Sequence, residues 1–485
     1  MPPIFDELHV VSDLHIGGVP GFQIFNQGAR LAAFIRALPN DPQRAIALVL
    51  GGDIVDFLAE PNASYFDPQG AVAKLQDIFE RDAFSPILPA LQDFLAIPGR
   101  TLVLILGNHD VELALPPVLE WLQDTLSRGE AGVRERIVVG MNGEGYRCLV
   151  GNKTVLCVHG NEVDSWNAID YTSLGEQATA LTSNQPLPTW DANAGTRMVV
   201  DVINEVKKKF PVVDLLKPEF GAAAPMVVAL DPASLLSIGK ILRIVRHIPA
   251  YTMRLGPGLF AAEAKLASDA PSTSHTILSF AEEHLDHEDV KHESKGFFSR
   301  AYHALTKHDG PAPLHELHDL VTSIQGWFDP KRRPAQLRKH LKKSLVDDRS
   351  FDIEDPDEQF TLLDDAVSND VNYLIAGHTH LERSIQRSTE GCYYFNSGTW
   401  TRLIQLTHEI LDNDDEFAQV YQSFLAGDIR ALDDIHNLGS DEMSLVLIRP
   451  TVVSIVNEDG VVFGELRHAA DDGTLHPLAG SRRGV

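Results

Sequence analysis

The sequence predicts an α/β fold interrupted by a large, mainly helical insertion. Three observations carry this. Short apolar runs of strand length alternate with amphipathic stretches through residues 8–158. That pattern stops near Ser165, and helical spacing replaces it up to about Phe360. Strand-like runs then resume. Apolar runs bounded by Gly and Asp suit strands buried on both faces, with helices outside. Either a helix–sheet–helix layering or two packed sheets with flanking helices satisfies the pattern.

In chain order, Leu8-His9-Val10-Val11 reads as a strand, and 24–38 as a helix with Ile24, Leu31, Phe34, Ile35 and Leu38 at helical spacing. Residues 45–50, 101–106 and 154–158 follow as strands. In the insertion, helical patterns occupy 195–210 (Val199, Val200, Val202, Ile203, Val206), 233–248 and 314–327, and the polar stretch 265–295 reads as a loop. Residues 372–376 form a fifth strand. Tyr393-Tyr394-Phe395 leads into Asn396-Ser397-Gly398-Thr399, and the acidic stretch 407–438 reads as helical. Thr451–Asn457 and Val461–Leu466 flank Glu458-Asp459-Gly460, a hairpin signal. The last dozen residues are expected to fray. The organisation is thus a core in two parts, 1–164 and 361–470, a cap at 165–360 and a tail at 471–485. No internal repeat is seen.

The chain has 485 residues, 44% hydrophobic and 22% charged, which excludes collagen-like, disordered and disulfide-scaffold classes. The length suits about three domain-sized units. Asp and Glu number 68 against 41 Lys and Arg, a net charge of −27. Such a surface repels nucleic acid and anionic lipid unless basic residues cluster locally, and it attracts multivalent cations. Cys148, Cys157 and Cys392 form no CxxC pair, which points to a reducing compartment. No basic segment followed by an apolar stretch opens the chain, and no apolar run reaches the roughly 18 residues of a membrane span. A soluble, cytoplasmic protein is expected.

Each strand-like run ends in residues of metal-ligand type. These are Asp13 and His15, then Asp53 and Asp56 in Gly51-Gly52-Asp53-Ile54-Val55-Asp56. Next come Gly107-Asn108-His109-Asp110, His159-Gly160 and finally Gly377-His378-Thr379-His380. Groups just beyond the carboxyl ends of neighbouring strands converge on one crevice. Asp13, His15, Asp53, Asn108, His159, His378 and His380 are too many for one transition metal with an open position. If one carboxylate bridges, they supply two ions with four ligands each. Ions about 3.5–4 Å apart can hold a bridging hydroxide and clamp a phosphoryl oxygen. Imidazole, carboxylate and amide oxygen suit Mn, Fe, Zn or Ni, with Mn the leading expectation.

The five blocks, in this order, resemble those of the calcineurin-like metallophosphoesterase superfamily, over residues 7–160 and about 370–400. The resemblance implies a four-layer α/β/β/α sandwich. It implies Asp13, His15 and His380 as ligands of one ion, Asn108, His159 and His378 as ligands of the other, and Asp53 as the bridge. His109 resembles the family's active-site histidine, Asp110 would orient it, and Asp56 would hold the loop. Asn396 and Gly398 resemble the small turn after the last motif.

The implied activity is hydrolysis of a phosphodiester, phosphomonoester or pyrophosphate, on a small or lipid-linked substrate. Protein Ser/Thr phosphatases of the superfamily usually carry Arg before the Gly-Asn-His block and Arg-Gly after the second block. Here Leu106 and Phe57-Leu58 stand at those places. UDP-2,3-diacylglucosamine pyrophosphatases share both end motifs, but many carry Arg where this chain has His109, and they are about half as long. A repair-type nuclease would need a basic surface at odds with the net charge, and a non-catalytic scaffold should lack ligands that are all present here. Oligomeric state is not readable.

Two basic stretches stand out in the insertion. Lys240, Arg243, Arg246 and Arg254 lie in 232–262, and Lys331, Arg332, Arg333, Arg338, Lys339, Lys342 and Lys343 lie in 330–346. They read as helix faces paired with acids, or as a cap facing an anionic substrate or a membrane surface. The His-acid run 282–292 reads as solvated.

Overall fold

In the computed structural model, residues 2–217, 224–231, 330–436, 438 and 444–484 are described. The helices expected at 233–248 and 314–327, the loop at 265–295, the first basic stretch and the His-acid run lie outside them. The chain builds two large sheets. One has seven strands in the spatial order Leu475–Pro477, Val461–Ala469, Thr451–Glu458, Glu7–Val11, Ile46–Gly51, Arg100–Ile105 and Ile137–Gly140. The other has six, in the order Ile4–Phe5, Tyr146–Val150, Lys153–Cys157, Tyr373–Ala376, Tyr393–Ser397 and Glu382–Gln386.

Side-chain alternation explains the layering. In Ile46–Gly51, Ala47 and Val49 face the second sheet, where they meet Cys148, Val155, Cys157, Ile375 and Phe395 in a shared core. Ile46, Leu48 and Leu50 point the other way and pack under the helices Gly28–Ala37 and Ile87–Ala96. On the far side of the second sheet, Leu156, Leu374 and Tyr394 pack against Leu363 of helix Glu358–Ala366. The result is helix, sheet, sheet, helix, as expected.

The strands that carry the motifs run parallel within their sheets. Glu7–Val11, Ile46–Gly51 and Arg100–Ile105 are in register, for example Val10 with Val49 and Val49 with Val103. In the second sheet Lys153–Cys157 pairs in parallel with Tyr373–Ala376, Cys157 opposite Ile375. All five carboxyl ends therefore open at one edge of the sandwich.

A further apolar cluster lies apart from these layers. It joins Val206, Val212 and Leu216 of the first part of the insertion to Leu337 and Leu341 of helix Arg333–Ser344, and to Phe417, Val420 and Phe424 of helix Asp414–Ala426. Arg402 ties it to the core, with a bidentate pair to Asp433 at 3.0 and 2.9 Å and a bond to the Gln23 carbonyl at 2.9 Å. The expected helix at 195–210 is present, but it runs as Ala194–Met198 and Asn204–Lys207 around a π-helical turn, Val199–Ile203. In the second basic stretch, Arg338 pairs with Asp414 and Lys342 with Asp412.

The expectation of a frayed tail is overturned. Leu475–Pro477 adds a strand to the large sheet, and Ser481, fully buried, accepts a bond from Ser384 at 2.6 Å through its carbonyl. Arg483 and Gly464 exchange two backbone bonds of 2.8 Å. Backbone pairing, which composition does not reveal, holds this segment.

Candidate active site

The loops beyond the five strands are stitched to one another by backbone bonds. Asp13 N–H donates to the Gly52 carbonyl at 3.1 Å, His15 to Asp53 at 2.9 Å, and Gly377 to His159 at 2.8 Å. The turns are tight enough that Asp13, His15, Asp53, His378 and His380 all take positive φ, between 46° and 72°. Non-glycine residues seldom occupy this region, and such strain gathers at functional sites. Two glycines permit the approach of the loops. A Cβ on Gly52, itself at φ +89°, would lie 2.4 Å from His159 Nδ1, and one on Gly377 would lie 2.4 Å from Asp13 Oδ2.

The seven sequence-predicted ligands meet in one place. Asp53 Oδ2 lies 3.7 Å from His15 Nε2 and 3.3 Å from His159 Nε2, between two groups of donors. On one side are Asp13, His15 and His380, with the two imidazole Nε2 atoms 3.0 Å apart and Asp13 Oδ1 3.4 Å from His380. On the other are Asp53, His159 and His378. Asn108 joins the second side: it is 4% exposed, its Nδ2 donates to Asn167 Oδ1 at 3.4 Å, and its Oδ1 is buried with no hydrogen-bond partner. His159 is fully buried. Its Nδ1–H donates to the Gly51 carbonyl at 2.9 Å, so the lone pair lies on Nε2, which has no hydrogen-bond partner.

A buried polar atom without a partner is costly unless something binds it. Here oxygen and neutral imidazole nitrogen, the donors divalent ions take, converge around a shared carboxylate. The charges agree. Burial alone would push His159 down, but Asp53 and Asp13 outweigh it and hold it up at about 10 in the absence of a cation, so these carboxylates call for positive charge at this place, which a proton or a metal ion can supply. Burial, with Lys217 and His15 nearby, pushes His380 well below its ordinary value, the neutral state of a ligand. The residues fit a pair of cations.

His109 sits at the mouth of the cluster. Its ring centroid is 4.7 Å from that of His15, and its backbone N–H donates to Asp53 Oδ1 at 2.9 Å. Asp110 does not orient it, contrary to expectation. The 107–110 turn points the Asp110 carboxylate inward, where it accepts from Gly107 N–H at 2.7 Å and Ile54 N–H at 2.6 Å and so fastens two motif loops together. Asp56 takes the orienting position instead. Its Oδ1 lies 3.2 Å from His109 Nδ1 and its Oδ2 3.4 Å from His15 Nδ1, while Oδ1 also caps the turn at Leu58 and Ala59. Burial lowers the affinity of His109 for a proton, but Asp56 and Asp53 prevail and hold it up at about 9.

Asn396 and Gly398 serve the last motif, as expected. Asn396 Nδ2 donates to the Gly377 carbonyl at 2.7 Å and its Oδ1 accepts from Gly398 N–H at 2.9 Å.

Residues 8–200 match the family model for calcineurin-like phosphoesterases. That stretch is similar to the calcineurin-like phosphoesterases. The family comprises hydrolases that act on phosphoester bonds. The match ends well before Gly377, yet the sheet pairing described above brings His378 and His380 to the residues inside it. No curated protein matches this chain.

Three residues of the candidate site carry no signal in the sequence. Asp164 accepts from His378 Nε2 at 2.9 Å, and Asn167 contacts Asn108. Both lie on a polar turn with no strand directly before it, so no pattern marked them. Lys207 comes from the insertion. It is buried, paired with Asp214, and close enough to Asp56 that the carboxylate helps to keep it charged.

Proposed function

We propose that this chain is a phosphoesterase that works with two divalent cations, manganese foremost. The observation that carries the reading is Asp53 standing between His15 and His159, with the unpartnered Asn108 Oδ1 and His159 Nε2 beside it. Asp13, His15 and His380 would hold one ion, Asn108, His159 and His378 the other, and Asp53 would serve both. When bound, such ions would supply Lewis acidity to a phosphoryl oxygen and lower the pKa of bound water toward neutrality.

The chain's own groups then take the following roles. The five motif loops hold the phosphoryl group against the crevice. His109, kept protonated by Asp56 and Asp53, donates a proton to the oxygen of the departing group. That help matters most when the departing group is a poor one, so the reading favours alkyl phosphodiesters over activated aryl esters. Lys207, drawn in by the insertion, adds positive charge beside Asp56 and His109. In helix Arg333–Ser344, Arg338 and Lys342 already have acidic partners, which limits what they offer a membrane surface.

The test is hydrolysis of a chromogenic phosphodiester beside the matching monoester and an alkyl phosphodiester, using metal-stripped protein and added Mn²⁺. Manganese-dependent turnover is expected, with the alkyl ester losing most when His109 becomes Ala. Metal-loaded protein that turns over none of the three would leave the scaffold reading standing.

A further inference from the structure

The segment after His159-Gly160 forms a short chain of side-chain hydrogen bonds behind the crevice. Asn108 Nδ2 donates to Asn167 Oδ1 at 3.4 Å. Asn167 Nδ2 donates to Asp164 Oδ2 at 2.6 Å. His378 Nε2–H donates to that same Asp164 oxygen at 2.9 Å. Asn108 and His378 come from different sheets and are far apart in sequence, so this chain joins two groups on the same side of Asp53.

Each link has an orienting consequence. With Nδ2 of Asn108 engaged, its Oδ1 is the end left facing the crevice. With Nε2–H of His378 engaged, Nδ1 carries the free lone pair, since a neutral imidazole has one donor and one acceptor. Partners of this kind fix the tautomer and direction of a ligand.

The chain is itself held in place. Asp164 Oδ1 accepts from Trp166 N–H at 2.8 Å, and its carbonyl accepts from Asn167 at 3.1 Å and Ala168 at 2.8 Å. The Asn167 carbonyl accepts from Asn161 Nδ2 at 3.0 Å and Asn193 Nδ2 at 3.2 Å. Gly195 lies against it: its N–H donates to the Trp166 carbonyl at 2.8 Å, and a Cβ there would stand 1.8 Å from Asn167 Oδ1. Helix Ala194–Met198 thus touches the back of the site.

We infer that Asp164 and Asn167 are positioning residues that aim Asn108 and His378 at one of the two ions, and that Gly195 holds this clamp in register. The inference rests on the two-ion reading above. It assigns the clamp to one ion only, because the side chains of Asp13, His15 and His380 have no bond to it among the described residues.

The experiment is titration of the full-length, metal-stripped protein with Mn²⁺, read by bound-metal stoichiometry and by electron paramagnetic resonance, which separates a coupled Mn pair from an isolated ion. Asp164→Leu and Asn167→Leu should weaken one Mn²⁺ by roughly 10–100-fold and leave the other at wild-type affinity. At intermediate Mn²⁺ the coupled signal should give way to that of an isolated ion. Gly195→Ala, which crowds Asn167 from outside, should act in the same direction. Asp164→Asn, which keeps an acceptor for His378, should retain most of the affinity. Should Asp164→Leu not fold, Asn167→Leu carries the same expectation. Wild-type affinity for both ions in the Leu variants, or equal loss of both in a variant that unfolds like wild type, would overturn the clamp alone. A wild-type protein that binds fewer than two Mn²⁺ would overturn the two-ion reading and the clamp with it.

Discussion

Gly52 offers a measurement of how closely the loops of this site are fitted. It has φ +89°, and a Cβ would lie 2.4 Å from Nδ1, 2.6 Å from Cγ and 2.8 Å from Cβ of His159. The ring cannot swing aside without breaking its 2.9 Å bond to the Gly51 carbonyl, and it is fully buried. Gly460, in the turn of the C-terminal hairpin, has nearly the same φ, +90°, with nothing within 4 Å of its Cβ position. Comparing the two separates strain from crowding. Gly460→Ala should show the backbone cost alone, about 1–2 kcal/mol. Gly52→Ala carries that cost and, in addition, about 1–3 kcal/mol for forcing an atom into a filled core. The sum is about 2–5 kcal/mol. Denaturant midpoints of both metal-stripped variants against wild type measure the difference, since the shift of midpoint at constant slope reports stability. A Mn²⁺ titration measures the second consequence, because a displaced His159 Nε2 should weaken binding by about tenfold or more. Equal stability of the two variants, with Mn²⁺ binding at wild-type strength in both, would refute the reasoning.

Three further predictions concern two carboxylates and the satellite core. Asp56→Asn should retain Mn²⁺ and lose about 10²–10⁴-fold in turnover, because it removes the charge that keeps His109 protonated and aimed. Asp110→Asn should instead cost about 1–3 kcal/mol in stability, since its amide would face the N–H donors of Gly107 or Ile54. Its turnover per folded molecule should exceed that of Asp56→Asn, and the reverse order in a side-by-side assay would restore Asp110 to the orienting role. Arg402→Met should cost about 3 kcal/mol by leaving Asp433 without its bidentate partner. Its thermal unfolding should show the cluster around Phe417 and Leu341 loosening before the sandwich, and a single unshifted transition would count against this.

The sandwich was legible because its central strands are buried on both faces and therefore read as unbroken apolar runs. The ligands were legible because each stands just past such a run. What escaped was contact between loops. Asp110 is adjacent to His109 in sequence, and adjacency suggested the partner. Only the turn of the 107–110 backbone shows that Asp110 faces inward and that Asp56, far along the chain, meets the ring. Asp164 and Asn167 gave no signal because they belong to a turn with no periodicity of its own. The tail was misjudged because its bonds are made by backbone at Gly464 and Arg483, to which composition is blind.

The strand order has a consequence for how the molecule is made. Glu7–Val11 lies at the middle of the large sheet and is flanked on one side by Thr451–Glu458, so His9 near the start of the chain bonds Ser454 near its end. Lys153–Cys157 likewise waits for Tyr373–Ala376. At about 5–20 residues per second, roughly 10–40 s separate the synthesis of His159 from that of His378. Until then both sheets have open edges, and half of the crevice is missing. Contacts so distant in sequence slow folding and expose strands to wrong partners. A growing chain of this design cannot complete the crevice before His380 has been made, and early termination should leave a product prone to aggregate.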